Sequence, residues 1–253
     1  MKRREFLVGL AAAVASTGYV PYEAVAGSAA SYRLGSANIT LNLFESGGGK
    51  TTFFAPHEDE STAVEAAKDA VRKFGGRLFW LTHGGGRNIR FSLRDEKYVV
   101  DPNRIFSNKG AEASLTALGN YSDGALYEVR VFADAVLSKV FSKTGLIVGM
   151  HNNSEKNYSA LSYLNGGELE HDAQKVSVVE GSDPDDFFFT TWSKIFSGLE
   201  KKGFNAVLQK RGIADDGSLS VRCQRSGLPY VNVEAQHGHE KKQEEMLRAL
   251  LTL

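Results

Sequence analysis

Apolar and polar positions along this chain follow two periods in turn, and their order predicts an α/β protein. In residues 38–45 the apolar Ile39, Leu41 and Leu43 alternate with Thr40 and Asn42, which reads as a strand with one buried face. Thr51–Ala55 and residues 77–82 are short apolar runs of strand length. Between them Ser61–Phe74 places Ala63, Val64, Ala67, Val71 and Phe74 at helical spacing. Further along, residues 124–141 and 190–202 read as helices and residues 145–150 as a buried strand. Asn205–Gln209 and residues 230–234 read as strands, and Glu240–Leu251 as a closing helix. No internal repeat or low-complexity tract interrupts this order, so a single domain is expected.

The first residues stand apart. Lys2-Arg3-Arg4-Glu5-Phe6-Leu7 precedes an apolar run reaching about Val20, and Ala24-Val25-Ala26 offers small residues for cleavage. This looks like a twin-arginine export signal, predicting that residues 1–26 are removed, that 27–253 form the functional domain, and that the protein is periplasmic or secreted. The run is too short and too rich in Ala and Gly for a permanent membrane anchor, and no Cys follows it to take a lipid.

Composition narrows the chemistry. Lys and Arg number 30 against 30 Asp and Glu, so there is no broad attraction for a nucleic-acid backbone. One Cys in 253 residues makes neither a disulfide framework nor a Cys-based zinc module. A metal site must therefore use His, Asp and Glu. In open α/β sheets ligands bind just beyond the carboxyl ends of the strands, and four clusters occupy such places or the loops beside them.

The first is Thr51 to Glu60, where an apolar strand ends at Pro56 and His57-Glu58-Asp59-Glu60 leads into a helix. His57 and Glu60, three apart on a tight turn, can point a ring nitrogen and a carboxylate oxygen at one ion. Asp59, Glu60 and Ser61 equally suit a helix start. The second joins Arg87 and Arg90, after Gly84-Gly85-Gly86, to Asp101-Pro102-Asn103-Arg104-Ile105-Phe106. A guanidinium can grip a carboxylate through two parallel hydrogen bonds, although Arg104 can also simply pair with Asp101. In the third a buried strand delivers His151 where its apolar run stops, followed by Asn152 and Asn153; in the fourth Val231-Asn232-Val233-Glu234 ends a strand on a carboxylate. Each has a structural alternative, a hydrogen-bonded core His for the third and a surface loop for the fourth.

Taken in order, His-x-x-Glu, Arg, Asn-Arg, His and Glu resemble the zinc carboxypeptidase superfamily, including its succinylglutamate desuccinylase and aspartoacylase branch, over about residues 50 to 240. The most specific part is the match of residues 101–106 to that family's Asp-x-Asn-Arg-x-Phe signature. The resemblance implies a mixed, mostly parallel central sheet with helices on both faces. It implies one zinc ion per chain held by His57, Glu60 and His151, with Glu234 as the general base. It further implies that Asn103 and Arg104 bind the substrate's terminal carboxylate and that Arg87, with Arg90 as its competitor, polarises the scissile carbonyl. The expected activity is amide hydrolysis of a peptide or N-acyl amino acid, cell-wall peptides among them. The expected partners are that substrate and the twin-arginine machinery. Asn152, Asn153 and Tyr158 are candidate cleft residues, while His83, His237 and His239 read as structural or surface histidines. The chain is short for a full carboxypeptidase, which leaves little room for substrate-selecting loops.

Two other readings remain. Residues 55–60 also resemble the Ala-His-Pro-Asp-Asp-Glu motif of zinc-dependent sugar N-deacetylases, though Glu60 stands where that family has Asp and its later His pair is missing. A catalytically silent exported binding protein would keep the fold without turnover. Gly47-Gly48-Gly49-Lys50-Thr51 ends like a phosphate-binding loop but lacks the first glycine and precedes a strand, so it reads as a hairpin turn.

Overall fold

The computed structural model describes residues 25–155 and 158–253. The expected export segment lies outside the described residues as far as residue 24, and its last two residues, Val25 and Ala26, begin the first strand. Eleven strands and six α-helices follow one another among the described residues. The strands are β1 (Val25–Leu34), β2 (Ala37–Ser46), β3 (Thr51–Ala55), β4 (Gly76–Thr82), β5 (Ile89–Leu93), β6 (Glu96–Val100), β7 (Leu146–Asn153), β8 (Ala173–Ser177), β9 (Phe187–Thr190), β10 (Asn205–Gln209) and β11 (Tyr230–Gln236). The helices are α1 (Ser61–Phe74), α2 (Asn108–Leu118), α3 (Asp123–Val140), α4 (Ser193–Lys201), α5 (Leu219–Arg225) and α6 (Glu240–Leu251).

Nine strands form one mixed sheet in the order β1-β2-β4-β3-β7-β11-β9-β10-β8. Its centre, β4-β3-β7-β11, is parallel, and antiparallel strands flank it. β5 and β6 make a separate antiparallel pair. The period of two decides the rest of the packing. Phe54, Ile147 and Tyr230 face α2, α3 and α5, whereas Phe53, Val148, Val231 and Val233 face α1, α4 and α6. The expected single α/β domain with helices on both faces is therefore what the chain forms. None of the helices among the described residues is long and apolar enough to cross a membrane.

Three expectations change. The helix expected at 190–202 begins only at Ser193, because Phe187–Thr190 is a fully buried strand between β11 and β10. The strand expected to stop at Met150 runs on to Asn153, so His151 and Asn152 sit within β7 rather than in a loop. The turn at Gly47 is no hairpin, since β4 lies between β2 and β3 in the sheet. It crosses the start of β4 so closely that a Cβ on Gly49 would lie 2.8 Å from backbone atoms of Gly75 and Gly76.

Candidate metal centre

Three polar side chains meet just beyond the sheet centre. His57, two residues past β3, places Nδ1 2.9 Å from Glu60 Oε1 and 3.2 Å from His151 Nδ1. His151 Nδ1 lies 3.0 Å from the other carboxylate oxygen, Glu60 Oε2. All three residues are buried, and their donor atoms lie within 4.8 Å of one another. Two imidazole nitrogens and a carboxylate oxygen at this separation can hold one metal ion, and the donor set suits zinc. The other nitrogen of His57, Nε2, donates to Asp101 Oδ1 at 2.9 Å. A ring nitrogen facing the centre and a carboxylate on its far side is the arrangement that fixes the orientation of a metal-binding histidine.

Local structure leaves Glu60 free for this task. It stands at the N-cap position of α1 but makes no side-chain cap hydrogen bond. The Ala63 amide donates instead to Asn152 Oδ1, across from β7, at 2.9 Å. The helix-start alternative therefore does not describe Glu60. Glu58 serves the neighbouring loop, accepting from the amides of His83 and Gly85 at 2.6 and 2.8 Å. That loop carries Arg87, whose guanidinium lies 2.5 Å from Glu60 Oε1.

Burial alone would lower the pKa of His57, but the carboxylates of Glu60 and Asp101 outweigh it and raise the imidazole to about 9. The same burial would raise Glu60, yet His151 and His57 hold its carboxyl well below the usual range. Asp101 is likewise held low by His57 against its own burial.

Glu234 is the strand partner of His151 between parallel β7 and β11, and it is buried. Burial pushes its carboxyl upward, Glu60 adds to this, and His151, Asn232 and Arg87 oppose it without reversing the direction. Glu60, His151 and Glu234 line a cavity of about 580 Å³ that also takes in Arg87, Asn103 and Arg104. Arg104 is 41% exposed at its side chain, with its guanidinium 3.7 Å from Asp216, so it is open to a competing carboxylate. It does not pair with Asp101 through its side chain; its backbone amide makes that link, at 2.9 Å. Asn103 is tied by its Oδ1 to the Leu219 amide at the start of α5, at 3.3 Å.

Arg90 falls elsewhere. It is exposed on β5 and is not among the residues that line this cavity, so of the two competing arginines Arg87 is the one beside the trio. Asn152, Asn153 and Tyr158 do line it, although Asn152 is occupied by Ala63, Ala235 and Gln243. Tyr158 shares a 2.5 Å hydroxyl contact with Tyr163, which also lines the cavity. Sequence reasoning passed over Asp101 as an outer partner of His57 and over Asn232 beside Glu234. The signal for the first was a carboxylate closing an apolar run, and for the second a polar residue two before a strand-end acid.

No protein-family model and no curated protein matches the sequence. Solved structures do. An aspartoacylase family protein from Mesorhizobium loti superposes with a TM-score of 0.50 at 15% identity, over 90% of this chain and 66% of its own. The chain shares the fold of that aspartoacylase family protein. The chain spans about two thirds of the length of that Mesorhizobium protein. Weaker likenesses reach the murein-tripeptide amidase MpaA from Escherichia coli O157, at 14% identity and a TM-score of 0.44 over 89% of this chain and 92% of its own. A bacteriophage poly-gamma-glutamate hydrolase gives 12% identity and a TM-score of 0.39, over 87% of this chain and 90% of its own.

Proposed function

We propose that this chain is an exported, zinc-dependent amide hydrolase that acts on a peptide or N-acyl amino acid bearing a free carboxylate. The observation that carries this reading is the convergence of His57, Glu60 and His151 on one point beside a cavity whose wall holds Glu60, His151, Glu234, Arg87 and Arg104. Bound zinc would supply a Lewis acid that lowers the pKa of water toward about 7 and polarises a carbonyl.

The side chains have separable tasks. Glu234, buried and with its carboxyl raised, is suited to take a proton from water and return it to a leaving nitrogen. Arg87 carries a fixed positive charge beside the trio, where it would stabilise negative charge developing on the carbonyl oxygen. Arg104 can exchange its distant contact with Asp216 for a bidentate grip on the substrate's carboxylate. His57, Glu60 and His151 would hold the ion, and Asp101 orients His57. Export rests on the twin-arginine pattern of residues 2–7.

The test begins with the metal content of the purified full chain beside His57→Ala and His151→Ala. About one zinc per chain, lost in both variants, is expected. Glu234→Gln should keep zinc and lose hydrolysis of N-acyl amino acids and dipeptides by a factor of about 10² to 10⁴. A parent chain that takes up no zinc would overturn the reading. Zinc bound without any turnover dependent on Glu234 would leave the silent binding protein in its place.

A further inference from the structure

Asn232 is the odd member of the cavity wall. It is 8% exposed, lies on β11 two residues before Glu234, and shares the face of the sheet that carries Tyr230 and Glu234. Its Nδ2 donates to Glu234 Oε1 at 2.8 Å. Its Oδ1 is buried and accepts no hydrogen bond. A buried acceptor without a donor is costly, and such groups in native proteins call for an explanation. Turning the amide over would not help, because the oxygen would then face a carboxylate.

The backbone is shaped around this group. Gly149 is the strand partner of Asn232 on β7, and a Cβ there would come within 2.2 Å of the Tyr230 hydroxyl and 3.1 Å of Asn232 Oδ1. The absent side chain is what admits both polar ends to the sheet face under the cavity. Asn232 and Glu234 both line the cavity, with Asn232 Oδ1 buried directly behind its wall.

We infer that Asn232 Oδ1 is the acceptor for an N–H of the substrate's leaving nitrogen, which makes Asn232 a residue that selects amides over esters. This rests on the hydrolase reading. In the reaction water adds its oxygen to the carbonyl carbon, and Glu234 takes up the water proton. That proton then passes to the nitrogen of the tetrahedral adduct, which becomes positively charged, and the C–N bond breaks with its electron pair on nitrogen, giving a carboxylic acid and an amine. The nitrogen must approach Glu234 to receive the proton, which brings it beside the amide bonded to Glu234. Its hydrogen meets Oδ1. As nitrogen gains a proton and positive charge the bond strengthens, so the contact favours the later stages of the reaction over the bound substrate.

The experiment uses the full chain loaded with zinc, and N-acetylated dipeptides ending in Ala, Phe or Lys beside depsipeptide twins whose scissile N–H is replaced by oxygen. Asn232→Leu should lower kcat/KM for the amides about tenfold to a hundredfold more than for the esters. Equal losses on both would mean that Asn232 merely holds Glu234, and would overturn the inference. Asn232→Ala, smaller and less disturbing to the strand, must give the same collapse of the amide-to-ester ratio. A second readout needs no turnover: calorimetry on the zinc-free chain with each terminal amino acid and its 2-hydroxy acid twin. The parent should prefer the amine and the variants should show no preference. A parent without that preference overturns the inference even where hydrolysis is found. A preference that Asn232→Leu erases, in a chain that hydrolyses nothing, would keep Asn232 as an N–H acceptor but overturn its role in selecting amides, because the hydrolase reading has then failed.

Discussion

Asn152 Oδ1 on β7 accepts the backbone proton of Ala63 in the first turn of α1, at 2.9 Å. This bond crosses between elements 89 residues apart in sequence and does the work of a helix cap. Glu60, at the N-cap position itself, is thereby released to face His57 and His151. One strand residue frees the carboxylate that its neighbour, His151, requires.

Asn152→Ala removes this bond together with those to Ala235 and Gln243, and leaves the Ala63 amide buried without a partner. The cost in stability should be about 3 kcal/mol, read from urea denaturation. Zinc affinity should fall with it, because Glu60 gains a reason to turn back toward its own helix. Unchanged stability would show that another group caps α1.

Asp101→Asn keeps a polar group against His57 Nε2 but removes the charge that holds the imidazole in place. The variant should fold, since Asp101 is only partly buried, with its side chain 19% exposed. Its zinc affinity should drop about tenfold to a hundredfold, measured by competition with a fluorescent chelator.

The pH dependence of the metal-free chain follows from three groups. His57 is raised from 6.5 to about 9, so its contribution to stability is complete below pH 6.5 and fades as pH rises through about 9. Glu60 and Asp101 are lowered from 4.5 and 3.8, so their contributions are complete above about pH 4.5 and fade as pH falls below it. The Tm of the metal-free chain should therefore peak between pH 4.5 and 6.5. Zinc must displace the proton on His57, so its uptake at pH 7 should release a proton and tighten as pH rises. Calorimetry in buffers of different ionisation enthalpy checks this, and uptake without proton release would contradict it.

Gly149→Ala should destabilise the chain by about 2 kcal/mol through overpacking, because the new methyl meets the Tyr230 hydroxyl. Adding Tyr230→Phe removes the atom at 2.2 Å and should restore a good part of the loss. Chemical denaturation of the two single variants and the double variant gives the coupling. Purely additive losses would place the strain elsewhere.

What the sequence reveals follows physical lines. Ser61–Phe74 and Thr51–Ala55 are legible to the residue because the first is amphipathic with one period and the second is a short apolar run between turn residues. Phe187–Thr190 is not, since a buried strand four residues long has no period, and it runs straight into a helix. Helix α2 hides for a related reason: Asn108–Leu118 has only Leu115 and Leu118 as large apolar residues, and its cap at Ser107 is a common residue in loops. At the site, His57, His151 and Glu234 are legible as polar residues in or just after apolar strand runs and Glu60 by its spacing from His57, while their grouping as one set is only what the family resemblance implies. The partnership of Asp101 with His57 spans 44 positions and depends on where the small β5–β6 pair docks, which no local pattern encodes. Arg87 and Arg90 differ only in whether a glycine loop or a strand carries them. That difference decides which one reaches the cavity.

His151 and Glu234 stand opposite each other on adjacent parallel strands, so backbone hydrogen bonding, with its spacing of about 4.8 Å between strands, sets how far apart they begin. No loop has to close to bring them together. Moving one strand by a single residue would turn its functional side chain to the opposite face, among the apolar residues packed on α1 and α6. The chain thus has no graded form of this arrangement: wherever the middle of the sheet has zipped in its native alignment, the Glu234 carboxyl and the His151 imidazole are already neighbours.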